Sequence, residues 1–391
     1  MTFRLFSRIA YSLLTLVVFS SVVAAEGRSL IEVSTDTDSY SGRLVAMNDG
    51  NCWLFGRDGR LNTLDVTQLK KFKRINDKFE PFSGSDLKQR LRDEFGGDYQ
   101  IVQSGRYMVV AAKGRGKEFA NVLDDVYGIV QREFRVRGFD IKPPEFPMVA
   151  IVFPRKSAYL EYANKEGARG VSVALGYYKR ESNRIALYEE DVQSRVPSRV
   201  KIKHLAQNDD TLGPLNVRAS RSVFPVIEAN LRDTLIHEAV HQVAFNLKIH
   251  SRIGNDPRWV IEGLATLFEA PGIRNRASKY DFATRVNRER YVTFGNFAKT
   301  RRRDKSLRDF VSSDGQFGQN ILDGYAQAWA LSFFLFETRG PDYAKFMKLI
   351  ASRDVVQDYD GKARLAHFEQ AFGDVDELET RFLKYMRRIK L

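Results

Sequence analysis

Two histidines four residues apart, with a glutamate directly after the first, stand at His237-Glu238-Ala239-Val240-His241. On a helix, residues i and i+4 share one face a turn apart, so both imidazoles can reach a single tetrahedral Zn²⁺. Glu238 then sits beside the metal, where its carboxylate can take a proton from a water held there. The flanking Leu235, Ile236, Ala239, Val240, Val243 and Ala244 are apolar, so this segment is expected to be a largely buried helix. Burying two histidines and a glutamate without a partner is costly, and a metal ion removes that cost.

Zinc that keeps one position free for water needs a third protein ligand. In the extended pattern HExxHxxGxxH, positions 244 and 247 would be glycine and histidine. They are Ala244 and Leu247, which closes that route. A second helix is expected to open at Asp256-Pro257, with Asp256 as N-cap and Pro257 in the first helical position. Glu262 lies in its second turn, and Gly263 would let this helix approach the first closely. Glu269, one heptad after Glu262, shares its face and could steady a ligand from outside the coordination sphere. His250 is an alternative third ligand, though it follows a helix end closely. His204, His250 and His367 have no partner spacing and otherwise read as surface or capping histidines.

These residues resemble the gluzincin metallopeptidases, in which HExxH is followed on a later helix by a ligand glutamate. The match lies in His237, Glu238, His241 and the string Trp259-x-x-Glu262-Gly263-x-Ala265. More broadly, residues 80–350 look like a bacterial family of peptidase-MA-like proteins, through the strings HEAVHQ, PRWVIEGLA and YAQAWAL. The resemblance implies that His237, His241 and Glu262 bind Zn²⁺ and that Glu238 is the general base. It also implies that Tyr325 supplies the oxyanion donor that such a hydrolysis needs. Two departures are visible. Many gluzincins carry an acid four positions after the ligand glutamate, where Thr266 stands here. The Gly-x-Met-x-Asn string of the aminopeptidase branch is absent.

Residues 1–25 have the layout of a secretory signal peptide: Arg4 and Arg8, a short apolar run, then Val23-Ala24-Ala25 before Glu26. Residues 26–78 read as a small β-rich module, because Asn48-Asp49-Gly50-Asn51 and Arg57-Asp58-Gly59-Arg60 punctuate short apolar runs. The basic patch Lys70-Lys71-Phe72-Lys73-Arg74 closes it. Residues 79–222 mix helices with strands at Tyr99 to Ala112, Met148 to Phe153 and Ile185 to Tyr188, and 205–222 reads as a loop. Residues 223–391 are nearly all helical, and Tyr325 to Glu337, apolar on every side, marks a helix buried in the core. Near the end, Gly373 stops one helix, and Asp374 with Glu377 forms a capping box for the next.

With 43% hydrophobic and 28% charged residues, the chain is a packed globular protein; disorder and a polytopic membrane fold are excluded. Cys52 is the single cysteine, so no intrachain disulfide and no multi-cysteine metal knuckle can form. The net charge of +13 favours anionic surroundings without choosing among them. Arg301-Arg302-Arg303 and Arg387-Arg388-Ile389-Lys390 read as solvated faces, and nucleic acid is not an expected partner. The expected fold class is therefore α+β, a zincin-like catalytic domain preceded by the β module. The expected function is that of an exported zinc metallopeptidase acting on a peptide or protein, with no integral membrane span once the signal is removed. The rivals are a zincin-like cell-envelope binding or scaffold protein without turnover, and a basic polymer-binding protein.

Overall fold

The computed structural model describes residues 28–189, 227–275 and 281–390. The signal peptide read at 1–25 and the loop read at 205–222 lie outside the described residues. The chain is mixed α+β, with an all-β region at the N-terminal end and a helical C-terminal half.

Short apolar runs separated by Asn/Asp-Gly turns give five strands, β1 (Leu30–Ser34), β2 (Ser39–Met47), β3 (Asn51–Phe55), β4 (Leu61–Asp65) and β5 (Lys71–Asn76). They form an antiparallel sheet of order β4-β3-β2-β1-β5. The Asn48 side chain closes the first turn by accepting from the Gly50 and Asn51 amides. Ile31, Val33, Cys52, Leu54 and Leu64 make its small core. The basic run falls on β5, an edge strand, where charges discourage pairing with another chain.

The second sheet has the order β6-β7-β8-β10-β9, from β6 (Tyr99–Ser104), β7 (Tyr107–Ala112), β8 (Met148–Phe153), β9 (Gly176–Lys179) and β10 (Arg184–Tyr188). β7, β8 and β10 run parallel, while β6 and β9 are antiparallel edges. Helices α1 (Gly84–Phe95), α2 (Gly116–Val136) and α3 (Lys156–Lys165) cover this sheet. Residues of β8 are buried on both faces, which is why the run reads as continuously apolar.

The helical half contains α4 (Ala229–Asn246), α5 (Arg258–Glu269), α6 (Arg288–Thr300), α7 (Ile321–Thr338), α8 (Gly340–Ser352), α9 (Gly361–Phe372) and α10 (Val375–Arg388), with short helical turns between them. α4 carries HExxH. It lies between α2 and α5 and also touches β9 and β10. Its register on the sheet is set by Gln242, fully buried, whose Nε2 donates to the carbonyls of Val149 (3.1 Å) and Asn183 (2.7 Å). Asn183, held at φ 57° in the β9–β10 turn, exchanges side-chain hydrogen bonds with Asn246. α7 is buried along most of its length and packs across α5 and α6.

Four expectations need correction. α5 begins at Arg258, with Pro257 as its cap. Asp256 is instead buried, accepting from the Ser251 amide at 2.9 Å and pairing with Arg353 at 2.8 Å. The open amide of Arg258 is capped from elsewhere, by Asp314 Oδ1 at 2.9 Å. Gly263 serves the contact of α5 with α7 and not with α4: a Cβ there would overlap Ser332 Oγ and lie 2.7 Å from the Ala328 carbonyl oxygen. Arg302 is not a solvated arginine. Its side chain is buried in an ion pair with Glu379. Finally, Asp374 does cap α10, but Glu377 pairs with Arg381 at 3.3 Å and no return bond closes a capping box.

Gly263→Ala is therefore expected to force α5 and α7 apart and to destabilise the fold by about 1–3 kcal/mol, the range of an overpacked core. Denaturant unfolding followed by far-UV circular dichroism checks this; an unchanged midpoint would show that the helices adjust freely.

The β module is tied to the rest through Arg252. This buried guanidinium donates to the carbonyls of Gly59, Arg180 and Glu181, and lies 4.8 Å from the Phe55 ring centre. No helix among the described residues is long and apolar enough to cross a membrane.

Candidate metal centre

α4 and α5 meet so that three ligand-type side chains converge. His237 Nε2 and His241 Nε2 lie 3.0 Å apart, and Glu262 Oε2 is 3.4 Å from the first and 3.3 Å from the second. This triangle is the group of described residues that could hold a metal ion. A zinc ion with tetrahedral angles and bonds of about 2.0–2.2 Å sets its ligand atoms about 3.3–3.6 Å apart. The triangle meets that requirement to within a few tenths of an ångström, and an ion above its plane keeps a fourth position free.

The chemistry of the donor set points the same way. Glu262 Oε2 is buried and makes no hydrogen bond of acceptable geometry, though it faces both rings. His237 Nδ1 lies 2.7 Å from Glu269 Oε1, so against a carboxylate acceptor Nδ1 carries the proton. Its Nε2 lone pair is thereby turned towards Nε2 of His241. Two ring nitrogens and a carboxylate oxygen facing one another need a proton or a cation among them. Burial works against a charge on His237, yet the Glu262 and Glu269 carboxylates overcome this and raise its pKa to about 10. Burial would also raise the pKa of Glu262, but the two histidines hold it well below the usual carboxylate range. The site is short of positive charge, and a metal ion would supply it.

Glu269 is in turn fixed by Asn287, whose Nδ2 donates to Oε2 at 2.5 Å. Thr266 takes no part around the ligands. It is fully buried, and its hydroxyl donates back to the Glu262 carbonyl at 2.7 Å. The absence of an acid at position 266 is thus matched by Glu269 three residues on. Glu269→Ala is expected to lower metal affinity by about 10–100-fold without abolishing binding, as loss of an orienting carboxylate does elsewhere. Competition titration against a chromophoric chelator measures this, and an unchanged affinity would show that His237 needs no such support.

Glu238 faces the sheet side of the centre. Its Oε2 accepts from the backbone amide of Tyr178, on edge strand β9, at 2.7 Å. The Tyr178 ring stacks on Phe245 of α4, with centres 5.7 Å apart, which holds the strand against the helix. Tyr325, at the start of α7, brings its ring centre to 6.2 Å from that of His237. Burial first, then the Glu262 and Glu238 carboxylates, hold its phenol well above the usual pKa, so it remains an O–H donor.

His250 does not join the centre. It is buried beside Phe245, neither ring nitrogen makes a hydrogen bond, and burial pushes its pKa down to about 3. It is a neutral packing residue and neither a surface histidine nor the third ligand of this group. His367 is held by the Tyr359 hydroxyl at 3.0 Å, and His204 lies outside the described residues. Tyr178, Gln242, Asn287 and Asp314 were not visible in the sequence as parts of the site. Only Gln242 carried a signal, as a polar residue on an otherwise apolar helix face.

Residues 232–357 match the family described as "Protein of unknown function (DUF1570)". The match takes in most of α4, all of α5 and all of α7, and so every residue of the His-His-Glu group, with Glu238, Glu269 and Tyr325. No curated protein matches the chain.

Proposed function

We propose that the chain is a zinc-dependent metallopeptidase with a zincin-like catalytic domain of gluzincin type, exported after removal of residues 1–25. The observation that carries this reading is the triangle of His237 Nε2, His241 Nε2 and Glu262 Oε2, with sides of 3.0, 3.4 and 3.3 Å, flanked by Glu238. Zn²⁺ held there would act as a Lewis acid on the scissile carbonyl and make water more acidic.

The other roles fall to the chain's own residues. Glu238, one residue after His237, takes the proton of the attacking water and returns it to the leaving amine. The Tyr178 amide orients the Glu238 carboxylate and keeps it from swinging into the ligand triangle. The Tyr325 hydroxyl, protonated at neutral pH, donates to the oxygen on which negative charge develops. Glu269 holds the tautomer of His237 that presents Nε2. β9 is an edge strand beside Glu238, and with its Tyr178 amide held by that carboxylate an extended peptide would pair only with the edge groups that remain.

Incubation of the zinc-loaded protein with a diverse peptide library, read by mass spectrometry, tests this. New termini from backbone cleavage, suppressed by a chelator and restored by zinc, are expected. Stoichiometric zinc with no cleavage would favour the non-catalytic scaffold.

A further inference from the structure

Arginines in the helical half are mostly committed to carboxylates: Arg285 to Glu337, Arg301 to Asp323, Arg302 to Glu379 and Arg353 to Asp256. Two arginines beside the metal centre are held more loosely. Arg258 lies one turn before Glu262 on α5, with its side chain 39% exposed and Nε 3.8 Å from Glu262 Oε1. That distance is too long for a hydrogen bond, and Glu262 is already turned towards the histidines. The Arg258 guanidinium rests 4.7 Å from the Phe317 ring centre and is near enough to Tyr325 to oppose the upward shift of its phenol. Arg290, on α6, lies 5.4 Å from the centre of the Tyr325 ring. Its Nε is buried without a hydrogen-bond partner, and its charge helps to hold the Glu269 carboxyl below its ordinary pKa.

The two guanidiniums thus flank Tyr325, the residue whose ring neighbours His237. A guanidinium that is not locked in a bidentate pair is matched by a planar anion, because its fork fits a carboxylate with two parallel hydrogen bonds. We propose that Arg258 and Arg290 form a carboxylate-recognition subsite, so that the substrate carries a carboxylate close to the bond that is cut. This rests on the peptidase reading for the word substrate, but the subsite itself is a binding property of the chain. The arginines reach the centre from the helical side, whereas β9 reaches it from the sheet side. A peptide backbone along β9 and a carboxylate on the arginines would therefore use different walls. The carboxylate has two sources, an aspartate or glutamate side chain and a chain terminus.

Calorimetric binding to the zinc-loaded Glu238→Gln protein, in which the probes are not turned over, separates them. The probes are Ac-Ala-Ala-Asp-Ala-Ala-NH2 against its Asn counterpart, and Ac-Ala-Ala-Ala-OH against its terminal amide. The acid of at least one pair is expected to bind at least about 10-fold tighter than its amide, with the advantage shrinking as salt is raised. The pair that shows it identifies the source. Arg258→Gln and Arg290→Gln, each with wild-type circular dichroism, are expected to lose the advantage. Equal affinity within both pairs, no measurable binding of any of the four, or an advantage kept by both variants overturns the proposal. Acid-selective binding in a protein that cleaves no library peptide would leave the subsite standing and remove the peptidase reading. Cleavage without acid preference in binding would do the reverse.

Discussion

Glu238→Gln is expected to lower peptide hydrolysis by about 10²–10⁴-fold, the usual worth of a positioned general base. At about 1.36 kcal/mol per factor of ten, this is roughly 3–5 kcal/mol of barrier. Gln has almost the same shape, and its amide oxygen can still accept from the Tyr178 amide, so the contact with β9 is kept. What it lacks is basicity. Glu238 is not one of the three residues that could hold a metal ion, so zinc content should stay at the wild-type level. The measurement is turnover of a cleaved library peptide together with elemental analysis of the same sample. Wild-type turnover in Glu238→Gln would assign the base elsewhere, and lost zinc would make Glu238 a ligand.

Glu262→Ala should weaken zinc binding by at least about 100-fold, more than the loss of an orienting partner such as Glu269 costs. Glu262 is the one anionic member of the triangle, so its removal leaves two neutral imidazoles to hold a dication. Glu262→Gln keeps the volume but offers only a neutral amide oxygen, and should fall between Ala and wild type. A metal that binds only the native state stabilises it by RT ln(1 + c/Kd), where c is the free metal concentration, so the rise in Tm on adding zinc should largely vanish in Glu262→Ala. The same rise measured at several zinc concentrations gives the affinity. A full zinc-induced rise in Glu262→Ala would remove this residue from the centre.

Much of the arrangement was legible because it rests on local periodicity. The i, i+4 spacing of His237 and His241, the alternating pair at Tyr99 to Ala112 and the apolar run at Met148 to Phe153 each encode their element without reference to the rest of the chain. The face shared by Glu262 and Glu269 was likewise readable from their seven-residue separation. What escaped depends on partners distant in sequence. Gly263 signals close approach but not to what, and its neighbour proves to be Ser332, 69 positions on. Asp256 has the chemistry of an N-cap, yet a buried Arg353 competes for it, and Asp314 caps the helix instead. β9 has only four residues, too few for alternation to register, although its Tyr178 amide holds Glu238. Arg302 looked solvated because it sits in a run of three arginines, and only the packing of α10 shows that it pairs with Glu379. In each case the residue type stated a need, and tertiary structure decided which group met it.

The most direct test is anomalous diffraction at the zinc absorption edge from crystals of the protein grown with zinc. The expected result is one strong peak about 2.0–2.2 Å from His237 Nε2, His241 Nε2 and Glu262 Oε2 together, with Glu269 still on His237 Nδ1. A peak elsewhere, no peak among these three atoms, or Glu262 turned away from both imidazoles would contradict it.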